Sequence, residues 1–327
     1  MTQIVKKIEA AGLVGRGGAG FPTARKWTAV KQARADQKYV ICNASEGEPG
    51  VFKDHYILMT HPEMVFQGLK LAIDYLGKAK GVLYINSKSY QSLKTKLTPL
   101  LKKYKVELII EEPSYIGGEE TALLNYIEGK RLEPRLKPPY PSDAGLYNKP
   151  TIINNVETLY NVALVDAGQY NNERFYSITV SGRRKGVYSL PEDLSIAKIL
   201  EASKSLPDYK FFVQIGGGAA GPVYNQKQIT RQKVSGAGSI EVYKADMKPI
   251  DLLNRWFKFY DLESCGKCSP CRMGSYNLVQ LVKGRKTVPW KEVLEIVETM
   301  EKTSFCALGS SIATPIKTYL KNVLKIK

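Results

Sequence analysis

Apolar runs and amphipathic segments alternate along the first half of the chain. Short apolar runs predict strands at residues 38–42, 81–86 and 106–111. Between them, residues 62–77 and 88–104 carry apolar side chains at helical spacing and predict two helices. Because strands that alternate with helices tend to pair in the same direction, this half predicts an α/β domain with a mostly parallel sheet.

Three further segments frame this alternation. Residues 2–11 have apolar side chains at helical spacing and predict a short helix. Residues 134–150 are rich in proline, which helix and sheet interiors exclude, so they predict a shaped loop. The loop leads into residues 151–158, where an asparagine pair predicts the capped start of another helix.

The pattern of the second half begins near Phe175 with short β-like runs, SITVSG, GVYSL, FFVQIGGG and SIEVY. One helix is predicted near residues 194–203, so this segment indicates a small α+β domain that ends near Lys244. The glycine triplet at residues 216–218 favours a structural turn over a ligand-binding loop.

Helical spacing returns from Pro249 to the end of the chain. Four helices are predicted, near residues 249–262, 273–283, 289–302 and 311–325. Such helices can form a bundle that holds a loop at one end. The predicted domains are residues 1–173, 174–247 and 248–327.

A cysteine-rich loop lies at the start of the predicted bundle. Cys265, Cys268 and Cys271 are separated by strict two-residue gaps, and Cys306 follows far downstream. Three crowded cysteines with a remote fourth are typical of a 4Fe–4S cluster. A structural zinc site more often has two separated C-x2-C pairs, so the spacing favours iron–sulfur over zinc. The fifth cysteine, Cys42, ends an apolar strand and is interpreted as a buried structural residue.

Charge does not change this interpretation. The chain has 48 basic and 31 acidic side chains, a net charge of +17, and the excess is spread over all three predicted domains. No helix-turn-helix, zinc finger or aromatic RNA-binding motif accompanies it, which argues against a nucleic-acid partner. A basic surface can instead favour an acidic protein partner.

The sequence also argues against direct membrane insertion. No run of 18 apolar residues occurs, and the first residues do not form the apolar core of a signal peptide. Because four of the five cysteines belong to the metal motif, a disulfide framework is not indicated. These features favour a reducing, cytoplasmic setting.

Three polar or glycine-rich stretches are candidates for ligand binding. Residues 12–20 contain five glycines, with Arg16, Arg25 and Lys26 nearby, and could cradle a phosphate or form a surface turn. Residues 43–50 follow a predicted strand, where ligands bind in open α/β sheets, and their two glutamates could bind ribose hydroxyls or simply face solvent.

The third stretch begins a predicted helix. Gly117 and Gly118 precede Glu119 and Glu120, which lie in the first turn. Acidic residues at this position compensate the helix dipole, and a role in ligand binding is the alternative.

Taken together, six motifs occur in a characteristic order: GRGGAGFPTARKW, NASEGEPG, YIGGEETAL, KPTIINNVETL, ESCGKCSPCRMG and FCALG. From about residue 10 to residue 310 the chain resembles the flavoprotein subunit of bacterial complex I. That NuoF-like NADH-dehydrogenase family also includes the diaphorase subunits of NAD-linked hydrogenases and formate dehydrogenases.

The resemblance implies a fold and a function. It implies a Rossmann-like FMN-binding domain, a β-grasp (SLBB-like) domain and a C-terminal four-helix bundle that carries a 4Fe–4S cluster. NADH would be the substrate, a hydride would pass to FMN, and single electrons would pass to the cluster and a partner subunit. No catalytic side chain is expected, since FMN supplies the chemistry.

Matched motif positions imply the site residues. The residues expected to bind the cofactor are Gly15, Arg16, Gly17, Gly18, Lys26, Asn43, Ser45, Glu46, Gly118, Glu119, Glu120, Asn154, Asn155 and Thr158. Those expected to face NADH are Phe21, Lys26, Glu48, Glu120 and Tyr140, with Tyr140 stacking on a ring. The expected cluster ligands are Cys265, Cys268, Cys271 and Cys306.

The resemblance also implies partners, namely a thioredoxin-like 2Fe–2S subunit and a larger iron–sulfur subunit of a redox complex. The protein would be cytoplasmic, or peripheral to the inner membrane through that complex.

Two positions depart from the family pattern. Ser45 replaces a usual aspartate, and Ala29 replaces an aromatic residue that often sandwiches adenine. They motivate an alternative function, an electron-relay or assembly module of the same fold that has lost NADH binding. A zinc-containing nucleic-acid binder is a third hypothesis, which the order of the motifs disfavours.

Overall fold

The structure is a computed structural model that describes residues 3–326. The chain forms two compact units. The first comprises the residues up to Gly47 together with Phe52–Phe175, and the second comprises Glu48–Val51 and the residues from Tyr176 onward.

The first unit contains a four-stranded parallel sheet. Its strands are β1 (Lys38–Ala44), β2 (Ala79–Asn86), β3 (Val106–Glu111) and β4 (Thr151–Asn155), in the order β3-β2-β1-β4. The predicted α/β class and parallel sheet are confirmed. Strand β4 was not predicted, because a buried run of five residues cannot be distinguished from a helix start by periodicity.

Eight helices are described in the first unit: α1 (Gln3–Ala10), α2 (Thr23–Gln32), α3 (Lys53–Thr60), α4 (Pro62–Leu76), α5 (Ser87–Tyr104), α6 (Glu120–Ile127), α7 (Pro141–Ala144) and α8 (Val156–Ala167). Helices α4 and α5 match their predictions, whereas α2 and α3 were not predicted. Thr2, the first residue of the predicted N-terminal helix, lies outside the described residues.

Two local features explain where α7 and α8 begin. The predicted asparagine cap is present, since the Asn155 side chain accepts a hydrogen bond from the backbone N–H of Glu157 at the start of α8. The short helix α7 lies within the proline-rich loop. It begins with Pro141, which is tolerated there because the first turn of a helix has no use for its N–H.

Side chains from the sheet and helix α6 form one apolar core of this unit, which includes Ile41, Tyr84, Leu123 and Ile153. On α4, Gly68 lies so close to α8 that a Cβ at this position would be 1.9 Å from the carbonyl oxygen of Leu159. The absence of a side chain therefore allows the two helices to pack tightly.

The second unit contains a five-stranded mixed sheet. Its strands are β5 (Glu173–Val180), β6 (Arg183–Pro191), β7 (Phe211–Ile215), β8 (Val223–Asn225) and β9 (Ser239–Lys244), in the order β6-β5-β9-β7-β8. Strands β5 and β9 are parallel, and β7 is antiparallel to β8 and β9. Helix α9 (Ile196–Ala202) packs on this sheet through a core that includes Ile178, Ile199 and Val213.

Helices complete the second unit: α10 (Pro249–Glu263), α11 (Ser269–Val282), α12 (Trp290–Thr303), α13 (Ala307–Ser311) and α14 (Ala313–Tyr319), with a π-helical turn at Leu320–Leu324. The Trp256 indole on α10 donates a buried hydrogen bond to Gln214 on β7 at 3.1 Å, which joins helix and sheet. Across residues 3–326 there is no helix with the length and apolarity needed to cross a bilayer.

Candidate functional site

The carboxyl ends of β1 and β4 bring together two predicted cofactor-binding residues. Asn43 and Asn155 are register partners at the ends of these parallel strands. The Asn43 side-chain amide donates to the carbonyl oxygen of Gly118 at 2.9 Å. The YIGGEETAL motif, which contains Gly118, therefore lies at the same edge of the sheet. Ligands bind at this edge of open α/β sheets, so the arrangement has the position expected of a cofactor site.

The glycine loop lies against the same edge. The backbone N–H of Arg16 donates to the Thr158 hydroxyl at 2.9 Å, and that of Gly15 donates to the carbonyl of Phe21 at 2.9 Å. A Cβ on Gly17 would be 3.2 Å from the Cβ of Asn155. The loop is therefore held against the end of β4 and the first turn of α8.

Two glycines of this loop adopt backbone angles that side chains disfavour. The φ angle is +121° at Gly18 and +64° at Gly20. Arg16 is only 2% exposed, and its guanidinium donates to the Tyr170 hydroxyl at 3.0 Å. The loop thus presents mainly backbone, while the arginine side chain packs within the unit.

A pair of lysines surrounds Glu120. The Lys26 ammonium lies 3.6 Å from Glu120 and donates to the carbonyl oxygen of Ile153 at 3.0 Å. Lys137 forms ion pairs with Glu119 at 2.9 Å and with Glu120 at 2.8 Å. Burial would raise the pKa of Glu120, but the charges and hydrogen bonds of the two lysines outweigh it and lower the pKa. Glu120 is therefore ionised at neutral pH.

Sequence reasoning did not identify Lys137. The only feature of the sequence that could have identified it is its position immediately before Pro138 and Pro139 in the proline-rich loop. That loop also holds Tyr140, so its shape determines two side chains of the candidate site.

Two other predicted residues have structural partners. Glu119 caps α6, because its carboxylate accepts hydrogen bonds from the backbone N–H groups of Thr121 and Ala122. The Asn154 side-chain oxygen accepts a buried hydrogen bond from the Trp27 indole at 2.8 Å. Both interactions orient residues of the motifs.

A buried charge cluster lies behind Asn155. The Lys53 ammonium contacts Asp54 at 2.6 Å, Glu157 at 3.0 Å and the Asn155 side-chain oxygen at 3.2 Å. The Asn155 amide also donates to Asp54. Burial alone would lower the pKa of Lys53, but the neighbouring carboxylates raise it instead. Sequence reasoning missed this cluster, because Lys53 and Glu157 come from distant segments.

Glu46 and Ser45 lie next to this cluster. The Glu46 carboxylate accepts hydrogen bonds from the backbone N–H groups of Asp54 at 2.8 Å and His55 at 3.2 Å. Burial, with the charge of Asp54, raises the pKa of Glu46 to about 8. The Ser45 N–H donates to the Asn43 side chain at 3.1 Å, whereas its buried hydroxyl has no hydrogen-bond partner within residues 3–326.

The two aromatic side chains expected to face NADH are exposed. Phe21 is 46% exposed and Tyr140 is 53% exposed. The Arg25 guanidinium lies 5.8 Å from the centroid of the Phe21 ring. Exposed rings of this kind can stack on a planar ligand. Ala29 is exposed on α2, so the position that departs from the family pattern offers no ring.

Glu48 belongs to the second unit. One of its carboxylate oxygens accepts hydrogen bonds from the backbone N–H groups of Ala219 at 3.0 Å and Ala220 at 3.3 Å. A Cβ on Gly217 would be 2.5 Å from this oxygen, so the glycine triplet allows a close approach. The triplet is a structural turn that holds the Glu48 side chain, which sequence reasoning had expected to face NADH.

Three of the four predicted cluster ligands lie at the starts of two helices in the second unit, and Cys265 lies in the loop between α10 and α11. Cys268 immediately precedes α11, Cys271 lies in its first turn, and Cys306 immediately precedes α13. The backbone N–H of Phe305 donates to the Cys268 sulfur at 3.5 Å, and the Ser264 hydroxyl lies 3.4 Å from the Cys271 sulfur. Two stretches far apart in sequence therefore meet around these thiols.

Burial raises the pKa of Cys271 to about 11, and the other three predicted ligands add to the shift.

Within the described residues, no three His, Cys, Asp or Glu side chains are grouped so as to hold a metal ion. A 4Fe–4S cluster is bound by four cysteine thiolates, and the donor set of this loop has that chemistry.

Comparisons with known proteins agree with this geometry. Residues 8–164 match the model of the Nuo51 FMN-binding domain, and residues 251–324 match the iron–sulfur binding region of NADH-ubiquinone oxidoreductase-F. The sequence is 32% identical to an F-type subunit of NADH-quinone oxidoreductase from Rhizobium meliloti, over 98% of this chain and 86% of that protein.

Hydrogenase subunits are also similar. NAD-reducing hydrogenase HoxS subunit alpha of Cupriavidus necator is 31% identical over 99% of this chain and 60% of its own length. A crystal structure of an NAD+-reducing [NiFe]-hydrogenase superposes with a TM-score of 0.89 at 27% identity, covering 99% of this chain and 62% of that one. This chain thus spans about three fifths of those hydrogenase chains.

The fold and these matches define an NADH-oxidising flavoprotein with FMN-binding and iron–sulfur-binding regions. The chain belongs to the NuoF family of NADH-quinone oxidoreductase subunits. The predicted family, enzyme class and cofactors, FMN and a 4Fe–4S cluster with NADH as substrate, are confirmed. The roles of individual site residues stay predictions.

Proposed function

We propose that this protein is the electron-entry subunit of a multi-subunit redox complex. The first unit would hold FMN, which would accept a hydride from NADH, and the second unit would hold the cluster, which would pass on single electrons. The convergence of the glycine loop, Asn43, Gly118 and Asn155 at one edge of the parallel sheet carries this proposal, because it joins four motifs that are distant in sequence.

The residues of this edge fit FMN. The glycine loop offers backbone that a phosphate can approach closely, and Asn43, Asn155 and Thr158 supply polar groups nearby. Bound FMN would accept two electrons as a hydride and release them one at a time. The protein binds and orients the reactants, and no side chain is required as an acid or base.

The residues around Glu120 fit the dinucleotide. Lys26 and Lys137 supply positive charge suited to its pyrophosphate, while Phe21 and Tyr140 offer exposed rings. These properties support the roles that the family resemblance implies, with Tyr140 stacking on a ring. For Glu48, the bonds to Ala219 and Ala220 favour a role in shaping the protein over direct contact with the nucleotide.

The three predicted domains are part of the proposal. The strand order β3-β2-β1-β4 supports a Rossmann-like FMN-binding domain at residues 1–173. The five-stranded sheet with helix α9 supports a β-grasp domain at residues 174–247. Helices α10, α11 and α12, with the nearly continuous pair α13 and α14, support the four-helix bundle at residues 248–327 that carries the cluster.

The proposed partners are a thioredoxin-like 2Fe–2S subunit and a larger iron–sulfur subunit. Names of relatives support this, since they are subunits of NADH-quinone oxidoreductase and of NAD-reducing hydrogenase. The proposed location is the cytoplasm or the cytoplasmic face of the inner membrane through such a complex. A nucleic-acid partner is not proposed.

Anaerobic reconstitution tests this function. Protein supplied with FMN, iron and sulfide should show flavin bands with a broad iron–sulfur shoulder and reduce ferricyanide with NADH. A colourless protein that retains one zinc ion would contradict the proposal.

An NADH titration addresses the relay or assembly alternative, which the unpartnered Ser45 hydroxyl and the missing ring at Ala29 motivate. Bleaching of the flavin by NADH excludes that alternative. Bound flavin that NADH leaves oxidised, but dithionite reduces, would support it.

A further inference from the structure

Two serine hydroxyls lie in the neighbourhood of Cys271. Ser264 follows the last residue of α10, and Ser304 follows the last residue of α12. Neither serine is a predicted ligand of the cluster. The Ser264 hydroxyl contacts the Cys271 sulfur, and the Ser304 hydroxyl lies next to Gly309, which also adjoins Cys271.

The hydrogen bonds of Ser264 define the direction of its proton. Its backbone N–H donates to the carbonyl of Tyr260 at 3.1 Å, which fixes the residue at the end of α10. Its hydroxyl oxygen accepts from the backbone N–H of Gly266 at 3.4 Å and lies 3.4 Å from the Cys271 sulfur. A cysteine that binds iron is a thiolate without a proton, so Ser264 must be the donor in the loaded protein.

Ser304 has a buried hydroxyl that lacks a partner. Its backbone N–H donates to the carbonyl of Met300 at 3.0 Å, but its hydroxyl makes no hydrogen bond within the described chain. A Cβ on Gly309 would be 2.3 Å from this hydroxyl and 3.0 Å from the Cβ of Cys271. The hydroxyl and the cysteine therefore meet at the same glycine.

A buried hydroxyl without a hydrogen-bond partner costs folding free energy. This cost indicates that a bound group accepts its hydrogen bond. The donor set fits an iron–sulfur cluster, since the Phe305 N–H already points to the Cys268 sulfur. Sulfur atoms of the cluster would give the Ser304 hydroxyl an acceptor. The fit thus rests on an orphan donor as well as on four thiols.

We propose that Ser264 and Ser304 raise the reduction potential of the cluster by donating hydrogen bonds to its sulfur atoms. This inference rests on the proposed function. Reduction adds one electron, supplied by the reduced flavin, and that charge is shared with the sulfurs. Donors aimed at the sulfurs stabilise the reduced form more than the oxidised form, so they favour electron transfer from the flavin to the cluster.

The test is a redox titration of the full-length holoprotein, followed by electron paramagnetic resonance of the reduced cluster. Ser264→Ala and Ser304→Ala should each lower the equilibrium constant for cluster reduction by about two- to tenfold. A tenfold change corresponds to about 59 mV for a one-electron couple. The double variant should shift further than either single variant.

Ser310→Ala is the matched control, because the Ser310 hydroxyl bonds to the carbonyl oxygens of Cys306 and Ala307 and not to a sulfur. Its cluster should titrate with the wild-type potential. Ser264 and Ser304 variants that assemble a full cluster at the wild-type potential would overturn the inference.

A second pair of variants tests the inference if the alanine variants fail to assemble a cluster. Thr and Val have nearly the same shape, but only Thr keeps the hydroxyl, so Ser304→Thr should retain the potential and Ser304→Val should lower it. Equal potentials in this pair would also overturn the inference. Wild-type protein that binds no cluster at all would instead refute the proposed function.

Discussion

The ammonium of Lys26 on helix α2 lies 3.6 Å from the carboxylate of Glu120 on helix α6. Lys137 in the proline-rich loop contacts the same carboxylate from another direction. One acidic side chain therefore holds two lysines that come from different segments. Because both ammonium groups remain partly exposed, their positive charge is available to an anionic ligand.

Replacement of Lys26 should weaken nucleotide binding. Lys26→Met removes one of the two charges while the methionine keeps most of the apolar stem. A charge-assisted hydrogen bond contributes about 1.5–3 kcal/mol, so KM for NADH should rise about tenfold or more while the bound FMN decreases little. Steady-state reduction of ferricyanide measures KM, and absorbance after gel filtration measures FMN.

Lys94→Met provides the control for this experiment, because Lys94 is exposed on helix α5. It should leave KM at the wild-type value. An unchanged KM in Lys26→Met would show that Lys26 does not contact the nucleotide.

Replacement of Lys53 should destabilise the first unit severely. Lys53 is buried, and Lys53→Met leaves Asp54 and Glu157 in the interior without their counter-charge. Loss of one partner from a buried ion pair costs about 3–5 kcal/mol. Urea unfolding followed by circular dichroism measures the loss.

The matched control is Lys70→Met, which breaks the exposed pair of Lys70 with Asp74 on helix α4. Surface pairs contribute about 0–1 kcal/mol, so this variant should unfold nearly as the wild type does. Similar losses in both variants would contradict the structural role assigned to Lys53.

Glu46 should make stability depend on pH. Its pKa is raised to about 8 in the folded protein, compared with about 4.3 in an unfolded chain. Between these values the folded state keeps a proton that the unfolded state has released. The stabilising contribution is therefore present at low pH and is lost as the pH rises toward 8.

Glu46→Gln should remove this dependence, because an amide does not ionise, although its single oxygen can accept only one of the N–H groups of Asp54 and His55. Relative to wild type, the variant should gain more than about 1 kcal/mol of stability between pH 5 and pH 8. Thermal unfolding at several pH values measures the gain, with Glu9→Gln on the exposed face of α1 as the control. Parallel curves for Glu46→Gln and wild type would refute the prediction.

The iron content of cysteine variants should distinguish the four predicted cluster ligands from Cys42. Cys306→Ser should reduce the bound iron strongly, because a remote ligand closes the cluster. Cys42→Ala should leave the iron content unchanged, since Cys42 is fully buried on β1 and burial raises the pKa of its thiol. Iron and sulfide analysis of anaerobically purified variants gives the result, and a loss of iron in Cys42→Ala alone would invalidate the ligand assignment.

Local sequence patterns predicted much of the framework. The apolar runs that became β1, β2 and β3 predicted a parallel sheet because they alternate with helical segments along the chain. Strand β4 escaped prediction, because five residues are too few for periodicity to identify. Its pairing with β1 depends on contacts between distant parts of the chain.

The candidate site residues also fall into two groups, those that local sequence identifies and those that only the fold identifies. The cysteine loop and the glycine loop were recognisable, since their chemistry resides in closely spaced residues. Lys137 and the Lys53 cluster were not, because a lysine acquires such a role only from carboxylates that other segments bring near it. Glu48 was also recognisable from its motif, and the fold adds the backbone partners Ala219 and Ala220, which the sequence did not indicate.

By itself the sequence determined the alternation of strands and helices, the cap at Asn155 and the spacing of Cys265, Cys268 and Cys271, because each depends on neighbouring residues. Only the tertiary structure decided which groups meet: Lys26 with Glu120, and Ser304 with Cys271 at Gly309. The physical reason is that burial and electrostatic environment arise from packing of residues that are remote in sequence. The charge of Glu120 and the orphan hydroxyl of Ser304 are both products of that packing.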